Sequence, residues 1–395
     1  METIELLTIL AQGEDSMHQF KKNINNDKSL ASDMVAFSNG NGGRIFVGVA
    51  DDGTIVGLTK EDVRRLNQMI SSAASQHVLP AINPTTQNVL TEKGVVLVVE
   101  ISAGINRPYQ DKDGVFWVKS GADKRKATSR EEIQRLFQSS SLVHADESPA
   151  NGLTLADLDM PYFREFFLRR YGESLDSQQL PLEQVIRNMN LGRDGLLNIS
   201  GALLFGKDPS MRLPIFIVKA GCFPGTSIAS DTYTDSRDIR GKLADIFQQT
   251  MNFILSNLRH VQGDQSVNST GTPEIPRIAL EEIVANALVH RDYFISAPIR
   301  VFVLDDRVEV ISPGHLPNNL TVENIKSGVS NSRNPILASF ANQMLPYRGY
   351  GSGILRALKS YPGIDFVDDR SGNLFKVVLW RKAENAERTS LSPEI

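Results

Sequence analysis

The stretch "EEIVANALVHRDY", residues 281–293, decides the fold of the C-terminal part of the chain because helical periodicity and polar chemistry meet in it. At about 100° per residue, an arc of about 140° collects five apolar side chains: Leu280, Ile283, Val284, Ala287 and Leu288. Glu282, Asn286 and His290 follow at i, i+4 steps along the edge of this arc. The pattern predicts a helix that buries one face in a core and presents a polar edge to a cleft.

This polar edge has the chemistry of a ligand site. The carboxylate of Glu282 can accept a proton from water, and the amide oxygen of Asn286 suits Mg²⁺, a hard cation that is often shared with substrate phosphates. The spacing fits a helix with an ordinary solvated shoulder equally well. The segments downstream therefore have to decide between the two interpretations.

Two of those segments favour a ligand site. In "RGYGSGILRALKSY", residues 348–361, glycines at 349, 351 and 353 lead directly into a predicted helix. Glycine lets the backbone approach a phosphate closely, and a helix start offers unpaired N–H groups. "VFVLDDRVEVISPGHLP", residues 301–317, reads as a strand pair that ends in a Pro-Gly turn. The chain order is thus helix, strands, turn, long polar loop, glycine turn and helix.

In this order of motifs, residues 278–380 resemble the ATP-binding domain of the GHKL superfamily, which gyrase, Hsp90, MutL and histidine kinases share. The segments "NALVHRDY", "NP" and "GSGI" resemble its divergent RecG-like C-terminal form in bacterial regulators. The resemblance implies a two-layer α/β sandwich that binds ATP, or another nucleotide, together with Mg²⁺.

The resemblance also implies roles for individual residues. Glu282 corresponds to the water-activating base and Asn286 to the Mg²⁺ ligand. The implied cofactor-binding set is Asn286, Ser312, Gly314, Gly349, Gly351, Ser352 and Gly353. The chain departs from the superfamily at the adenine-reading box, where Ser312 replaces the aspartate and Leu316 the second glycine. Because the acceptor for the adenine amino group is lost, the sequence predicts weak ATPase activity at most.

The N-terminal part carries a second resemblance. "HQFKKN", "MVAFSNGNGGRIFVGVADDG" and "NRPYQDKDGVFWVKSGADKRKATSREEI" make residues 10–140 similar to the Schlafen AlbA-type domain. In bacterial chains this domain often precedes the GHKL-like module in transcriptional regulators. Some of its members are metal-dependent nucleases, which implies Glu14 with Asp51 and Asp52 as an alternative catalytic set. Gln19 stands where a second acidic ligand is expected, and this amide weighs against nuclease chemistry.

A cluster of cations in the same part favours binding to nucleic acid. Five of them fall within a dozen residues: Lys119, Lys124, Arg125, Lys126 and Arg130. Such clusters make phosphate contacts, whose strength falls with salt, although a solvated basic loop has the same composition. We expect a nucleic-acid partner, with DNA favoured over RNA.

Composition excludes several other classes of protein. The 395 residues are 41% hydrophobic and 22% charged, with a formal net charge of -4. A single cysteine, Cys222, excludes a disulfide framework and a cysteine metal cluster. Apolar runs fall far short of the roughly 20 residues of a membrane span, and the first residues lack the pattern of a signal peptide. We therefore expect a cytoplasmic protein.

The predicted fold class is α/β, in three parts followed by a polar tail. These are the AlbA-type domain at 1–140, an α/β connector with winged-helix-like features at 141–235, the GHKL-like domain at 236–385 and the tail at 386–395. This order predicts a nucleotide-responsive, nucleic-acid-binding transcriptional regulator that forms a homo-oligomer. Two alternatives remain open: a Schlafen-like metal-dependent nuclease, for example in phage defence, and an assembly protein in which both sites are degenerate.

Overall fold

The computed structural model describes residues 1–139, 143–262, 271–317, 320–349 and 351–381. The chain divides into two compact units, unit 1 with residues 1–143 and unit 2 with residues 144–395. Both are mixed α/β, as the sequence predicts. The predicted tail at 386–395 lies outside the described residues. No helix within those residues combines the length and the apolar composition needed to cross a membrane.

Unit 1 contains four α-helices and eight short strands within its described residues. The helices are α1 (Thr3–Gln12), α2 (Asp27–Asn39), α3 (Lys60–Ser72) and α4 (Arg130–Ser139). The strands are β1 (His18–Lys21), β2 (Gly42–Val47), β3 (Val78–Leu79), β4 (Thr85–Thr91), β5 (Gly94–Ser102), β6 (Gln110–Asp111), β7 (Trp117–Ser120) and β8 (Asp123–Lys126).

Its main sheet has the strand order β1-β2-β5-β4, with β1 and β2 parallel and the other pairs antiparallel. Because side chains alternate along a strand, β5 divides its apolar residues between two cores. Val96 and Val98 pack in a cluster with α1, whereas Leu97 and Val99 pack in a cluster with α2 and α3. The apolar residues at 96–99 therefore bury both faces of one central strand.

The motif "SNGNGG" of unit 1 has a structural role. The amide of Asn39 accepts a hydrogen bond from the Tyr109 N–H at 2.7 Å and donates to the carbonyls of Tyr109 and Trp117 at 2.8 and 2.9 Å. The Arg107 guanidinium donates to the carbonyls of Ser38 and Gly40. The motif thus ties the end of α2 to the segment that leads into β7.

Unit 2 contains eight α-helices and eleven strands within its described residues. The helices are α5 (Met160–Tyr171), α6 (Leu182–Asn188), α7 (Ile199–Phe205), α8 (Leu243–Asn257), α9 (Arg277–His290), α10 (Val322–Lys326), α11 (Pro335–Met344) and α12 (Gly353–Ser360). The strands are β9 (Pro149–Thr154), β10 (Gly192–Arg193), β11 (Leu196–Asn198), β12 (Val218–Cys222), β13 (Asp235–Ile239), β14 (His260–Val261), β15 (Thr272–Pro273), β16 (Ile299–Val303), β17 (Arg307–Pro313), β18 (Ile364–Asp369) and β19 (Leu374–Trp380).

A six-stranded sheet of order β13-β12-β16-β17-β19-β18 forms one layer of unit 2, and α8 and α9 pack on it. Helices α5 to α7 and the small sheet β10-β11-β9 form the preceding part. One continuous apolar core, from Ala145 to Leu379, includes buried residues of both parts. The predicted boundary at 235/236 falls at the first residue of β13, which pairs antiparallel with β12.

Helix α9 is the predicted helix of the "EEIVANALVHRDY" stretch, but it is buried more completely than its periodicity suggests. Leu280, Ile283 and Leu288 face the core as predicted, and Ala285 and Val289 are buried as well. The helix contacts α8, α12, α11 and β17, so neighbours enclose it on several sides. This enclosure places the polar edge of the helix inside the protein and not on an open shoulder.

The start of α11 is held by a carboxylate from the beginning of unit 2. Asp146 is fully buried, and its Oδ2 accepts hydrogen bonds from the N–H groups of Ile336 and Leu337 at 2.8 and 3.0 Å. These amides belong to the first turn of α11, where a helix lacks internal acceptors. Burial raises the pKa of the Asp146 carboxyl, and the two amide donors oppose that rise.

We expect Asp146→Ala to destabilise unit 2 by about 2–3 kcal/mol because two buried helix amides lose their acceptor. Asp146→Asn retains a neutral oxygen acceptor and should cost about 1 kcal/mol. Denaturant unfolding followed by Trp380 fluorescence, in a Trp117→Phe background, measures both. Because the raised pKa favours the neutral acid, the advantage of Asp146 over Asn should shrink as the pH rises from acid to neutral. Equal stability of Asp146→Ala and the parent would contradict the assigned role.

Candidate functional site

A cavity of unit 2 lies between the polar edge of α9, the end of β17 and the start of α12. The space between its walls, including the open mouth, is about 970 Å³. Seven of the eight predicted residues of this site line it: Glu282, Asn286, Ser312, Gly314, Gly349, Gly351 and Gly353. The eighth, Ser352, is not among the lining residues. The fold therefore brings together residues that lie up to 71 positions apart, from 282 to 353.

Glu282 is the most enclosed charged group of this cavity. Its side chain is 3% exposed, and its Oε1 lies 2.5 Å from an Nη of Arg356 on α12. Its Oε2 is buried without a hydrogen-bond partner. Burial raises the pKa of the Glu282 carboxyl, while the charges of Arg356 and Arg348 oppose that rise. A carboxylate in such surroundings has the properties of a general base that is restrained by an ion pair.

The amide of Asn286 is oriented by its own helix. Its Nδ2 donates to the Glu282 carbonyl at 2.6 Å, so the amide oxygen is the atom left for a ligand. Asn286 is half-buried at the cavity wall. One amide oxygen fits the Mg²⁺ mode in which a single protein ligand is completed by water and substrate phosphates. Asn286 is the residue that would hold such an ion, and the ion would neutralise phosphate charge there.

The glycine turn forms the wall opposite α9, and two of its glycines are required by geometry. Gly351 has φ +72°, and a Cβ there would collide with the Gly328 carbonyl. At Gly353, a Cβ would lie 2.6 Å from Glu282 Oε2 and 3.0 Å from Asn286 Nδ2. Ser352 is the N-cap residue of α12, but its side chain makes no capping hydrogen bond. The missing side chain at 353 therefore leaves open the space in front of Glu282 and Asn286.

Ser312 and Gly314 lie at the end of β17, beside the middle of α9. The Ser312 hydroxyl donates to the Ala287 carbonyl at 3.3 Å and is buried. Gly314 has φ +95°, and a Cβ there would lie 2.6 Å from the Asp292 Cβ. A hydroxyl that donates to its own protein presents acceptor lone pairs to the cavity. Ser312 can thus accept one hydrogen bond from a ligand but carries no charge.

His290 extends the polar edge of α9 into the cavity as a neutral ring. Its Nε2 lies 3.0 Å from the Tyr347 hydroxyl. Burial, together with the nearby charge of Arg333, lowers the pKa of His290 to about 4. The ring is therefore uncharged at neutral pH and can act only as a hydrogen-bonding group. Sequence reasoning placed His290 on the polar edge but missed Tyr347, which follows α11.

The acidic residues of the alternative nuclease site have structural roles or are exposed. Glu14 Oε1 accepts from the Phe20 N–H at 2.6 Å, and Asp52 accepts from an amide of its own turn at 2.9 Å. The hydrogen bond from the Thr54 N–H lowers the pKa of Asp52. Asp51 beside it is exposed. Gln19 Oε1 is buried without a hydrogen-bond partner. Across the described residues, no three His, Cys, Asp or Glu side chains are grouped so that they could hold a metal ion.

Two cations of the predicted basic cluster are partly buried and form contacts within unit 1. Lys124 Nζ lies 2.7 Å from a carboxylate oxygen of Asp33, whose side chain is fully buried. Lys119 donates to the Ala122 carbonyl and lies 4.9 Å from the centre of the Phe37 ring. Burial lowers the pKa of Lys119. Both lysines are partly buried, and each makes contacts within unit 1.

The other three cations of the cluster are exposed. Arg125 forms a two-pronged ion pair with Glu132 at 2.5 and 2.8 Å, which raises the pKa of Arg125. Lys126 Nζ lies 5.4 Å from the centre of the Trp117 ring. Lys126 and Arg130 are thus exposed and without an ion pair among the described residues.

Comparison with known proteins agrees with the two units. Residues 14–128 match the family "Schlafen, AlbA_2", and residues 296–369 match "Putative ATP-dependent DNA helicase recG C-terminal". Unit 1 carries a Schlafen AlbA_2 domain, and unit 2 carries a RecG C-terminal-type domain. No curated protein matches the chain.

Two solved structures are similar to the chain, one over most of its length and the other over about a third of it. The DIP2311 protein from Corynebacterium diphtheriae is 20% identical over 96% of this chain and 81% of its own, with a TM-score of 0.44. The N-terminal domain of a "Putative ATP-dependent DNA Helicase RecG-related Protein" from Nitrosomonas europaea is 20% identical over 33% of this chain and 96% of its own, with a TM-score of 0.24.

The match to the RecG C-terminal-type domain includes Ser312 and the glycine turn, but it starts after α9. The roles of Glu282 and Asn286 thus rest on the cavity geometry and on the sequence resemblance. Sequence reasoning missed Arg356, the ion-pair partner of Glu282. A signal for it was present, because Arg356 follows Gly353 by three positions and shares its helix face.

We expect His290 to remain neutral down to acid pH, with no ring titration near pH 6.5 in NMR spectra. Because its folded pKa lies below the ordinary value, its contribution to stability is present above about pH 6.5 and is lost as the pH falls towards 4. His290→Gln should remove that loss, which amounts to up to about 2 kcal/mol at pH 5. Parallel stability–pH curves for the two proteins would show that the ring is not held neutral.

Proposed function

We propose that the chain is a cytoplasmic nucleic-acid-binding regulator that responds to a nucleotide. In this proposal the cavity of unit 2 binds a nucleotide with Mg²⁺, and unit 1 binds nucleic acid, with DNA favoured over RNA. Nucleotide binding shifts the affinity for nucleic acid, and regulation of transcription by a homo-oligomer is the biological setting. Coupling of this kind is a free-energy linkage between two sites.

The observation that carries the nucleotide proposal is the meeting of Glu282 and Asn286 with the glycine turn in one cavity. The turn offers backbone that a phosphate can approach, beside the first amides of α12. Asn286 offers one oxygen for Mg²⁺, and Glu282 offers a carboxylate whose raised pKa suits proton acceptance.

The base end of the cavity supports binding more than it supports fast turnover or strict adenine selection. Ser312 and the neutral His290 can form hydrogen bonds there, but neither supplies a full negative charge. Uncharged hydrogen bonds discriminate less strongly between bases than a buried carboxylate does. We therefore propose a nucleotide sensor with slow hydrolysis at most, in which Glu282 would act as the base.

The proposal for unit 1 rests on its AlbA_2 domain and on Lys126 and Arg130. Both side chains are exposed at the β8–α4 corner, and Lys126 Nζ lies 5.4 Å from the centre of the Trp117 ring. A phosphate backbone attracts such cations without reading sequence, so the affinity depends on salt. The paired Arg125 and the internal Lys124 contribute less to this surface.

In a thermal-shift screen with ATP, ADP, GTP and other nucleotides, with and without Mg²⁺, we expect at least one nucleotide to raise the melting temperature of wild type. Asn286→Ala should lose the Mg²⁺-dependent part of that rise because the amide oxygen is gone. Asn257→Ala is the matched control, since the side-chain amide of Asn257 likewise donates a hydrogen bond to the carbonyl four residues before it, at 2.9 Å. A nucleotide response that is unchanged in Asn286→Ala would reject the predicted Mg²⁺ ligand.

For nucleic acid, we expect Lys126→Glu with Arg130→Glu to weaken duplex DNA binding by roughly tenfold or more at low salt, because two phosphate contacts become repulsive. The slope of affinity against salt should fall by about two. Fluorescence anisotropy with labelled duplex DNA and RNA measures both. Lys60→Glu with Lys93→Glu changes the charge of unit 1 equally at other exposed positions and should retain more of the binding. If both pairs weaken binding alike, the corner is not the specific surface.

A further inference from the structure

The ion pair between Glu282 and Arg356 joins the two helices that form the cavity walls. Glu282 belongs to α9 and Arg356 to α12, and their closest oxygen and nitrogen atoms are 2.5 Å apart. Both residues line the cavity. The guanidinium is 24% exposed and the carboxylate 3%, so the pair is accessible from the side of Arg356.

Both partners keep polar atoms without a hydrogen-bond partner. These buried atoms are Oε2 of Glu282 and both Nε and Nη2 of Arg356, of which Nη2 is the nitrogen that lies 2.5 Å from Glu282 Oε1 in the ion pair. An ion pair that fixed only the structure would gain from satisfying these atoms, because a buried unpaired polar group is costly. An unmatched donor on the guanidinium and an unmatched acceptor on the carboxylate instead complement two different species. The donor suits a phosphate oxygen, and the acceptor suits a proton of water.

The surroundings leave room for such species. Gly353 has no side chain, and a Cβ at that position would lie 2.6 Å from Oε2 of Glu282. Arg348 lines the same cavity from an exposed position and also acts electrostatically on Glu282. Two guanidinium groups therefore meet at this end of the cavity, and a single carboxylate balances them.

We propose that Arg356 is a phosphate-binding residue that stays paired with Glu282 until a polyphosphate binds. The anion displaces the Glu282 carboxylate from the Arg356 guanidinium. The carboxylate is then free to turn towards Asn286 and the open part of the cavity. The pair is thus a lock that makes Glu282 available only when the phosphate end of the cavity is filled. This inference rests on the proposed nucleotide site and assigns to it a competition between a side chain and its ligand.

A purely structural ion pair predicts a different pattern of effects. Removing either charge would then loosen the contact between α9 and α12, and both changes would weaken ligand binding. In a lock, the two changes have opposite signs. Loss of the carboxylate frees the guanidinium for the anion, whereas loss of the guanidinium removes the anion's partner.

Titration calorimetry of full-length protein with inorganic tripolyphosphate, and separately with ATP and ADP, tests the lock. We expect Glu282→Gln to bind tripolyphosphate roughly tenfold more tightly than wild type, and Arg356→Gln roughly tenfold more weakly. Arg356→Lys keeps the charge without the planar fork and should fall between wild type and Arg356→Gln. The double variant should lose the gain of Glu282→Gln. Circular dichroism and melting curves check that each variant folds.

Matched controls exist one residue away on the same helix. Glu281 pairs with Arg277 at 2.7 Å, in an i, i+4 pair whose arginine is 55% exposed. Glu281→Gln and Arg277→Gln should leave tripolyphosphate binding unchanged. The lock is overturned if Glu282→Gln binds tripolyphosphate no more tightly than wild type, or if neither protein binds it. A wild type that binds nucleotides while Glu282→Gln shows no gain rejects the lock alone. Binding of tripolyphosphate with the expected gain, but of no nucleotide, rejects the nucleotide proposal alone.

Discussion

The geometry of the cavity depends on how the C-terminal end of α9 is held. The last carbonyls of a buried helix have no partners within it and cannot reach water, so another group has to satisfy them. Asn334, which is fully buried, does this by donating to the carbonyls of Val289 and Arg291, both at 2.8 Å. With that end fixed, Glu282, Asn286 and His290 keep a constant register against β17 and the start of α12. A small shift of α9 would move all three together.

The cost of this arrangement is concentrated in a few charged groups. Arg291 is almost fully buried, and one of its Nη atoms donates to the carbonyls of Ile295 and Ala297, while the guanidinium lies near the rings of Phe216 and Tyr293. Glu282 is equally enclosed, and Arg291 Nε and Glu282 Oε2 are both buried without a hydrogen-bond partner. Apolar residues of similar size would stabilise the core more simply than a half-satisfied ion pair. Glu282 differs from Arg291 in its position, because Glu282 lines the cavity and Arg291 is not among the lining residues.

Much of the fold could be predicted from local sequence, and the exceptions have a common cause. The spacing of Leu280, Ile283 and Leu288 predicts α9 correctly, and the resemblance predicts the α/β class of both parts. The periodicity cannot show that Glu282 is buried, because its partner Arg356 belongs to α12, which begins 71 residues further along the chain. In the same way, the cluster around Lys124 reads as one basic patch, although the buried Asp33 pairs with that lysine and its side chain is only 21% exposed. Burial and ion pairing depend on partners that no local window contains.

The segment at the start of unit 2 is connected to the cavity by hydrogen bonds within the unit. His144 lies 3.2 Å from the Arg333 carbonyl, and Asp146 holds the first turn of α11. The Arg333 side chain in turn donates to the His315 carbonyl at 2.8 Å, in the cavity wall. Such a chain of contacts transmits nothing by itself, because coupling needs an element with two states of different ligand affinity. The Glu282–Arg356 pair has the required character, since a ligand that takes Arg356 must change how α9 and α12 meet. A response to nucleotide is therefore better sought in the α9–α12 contact than in any movement of the sheet.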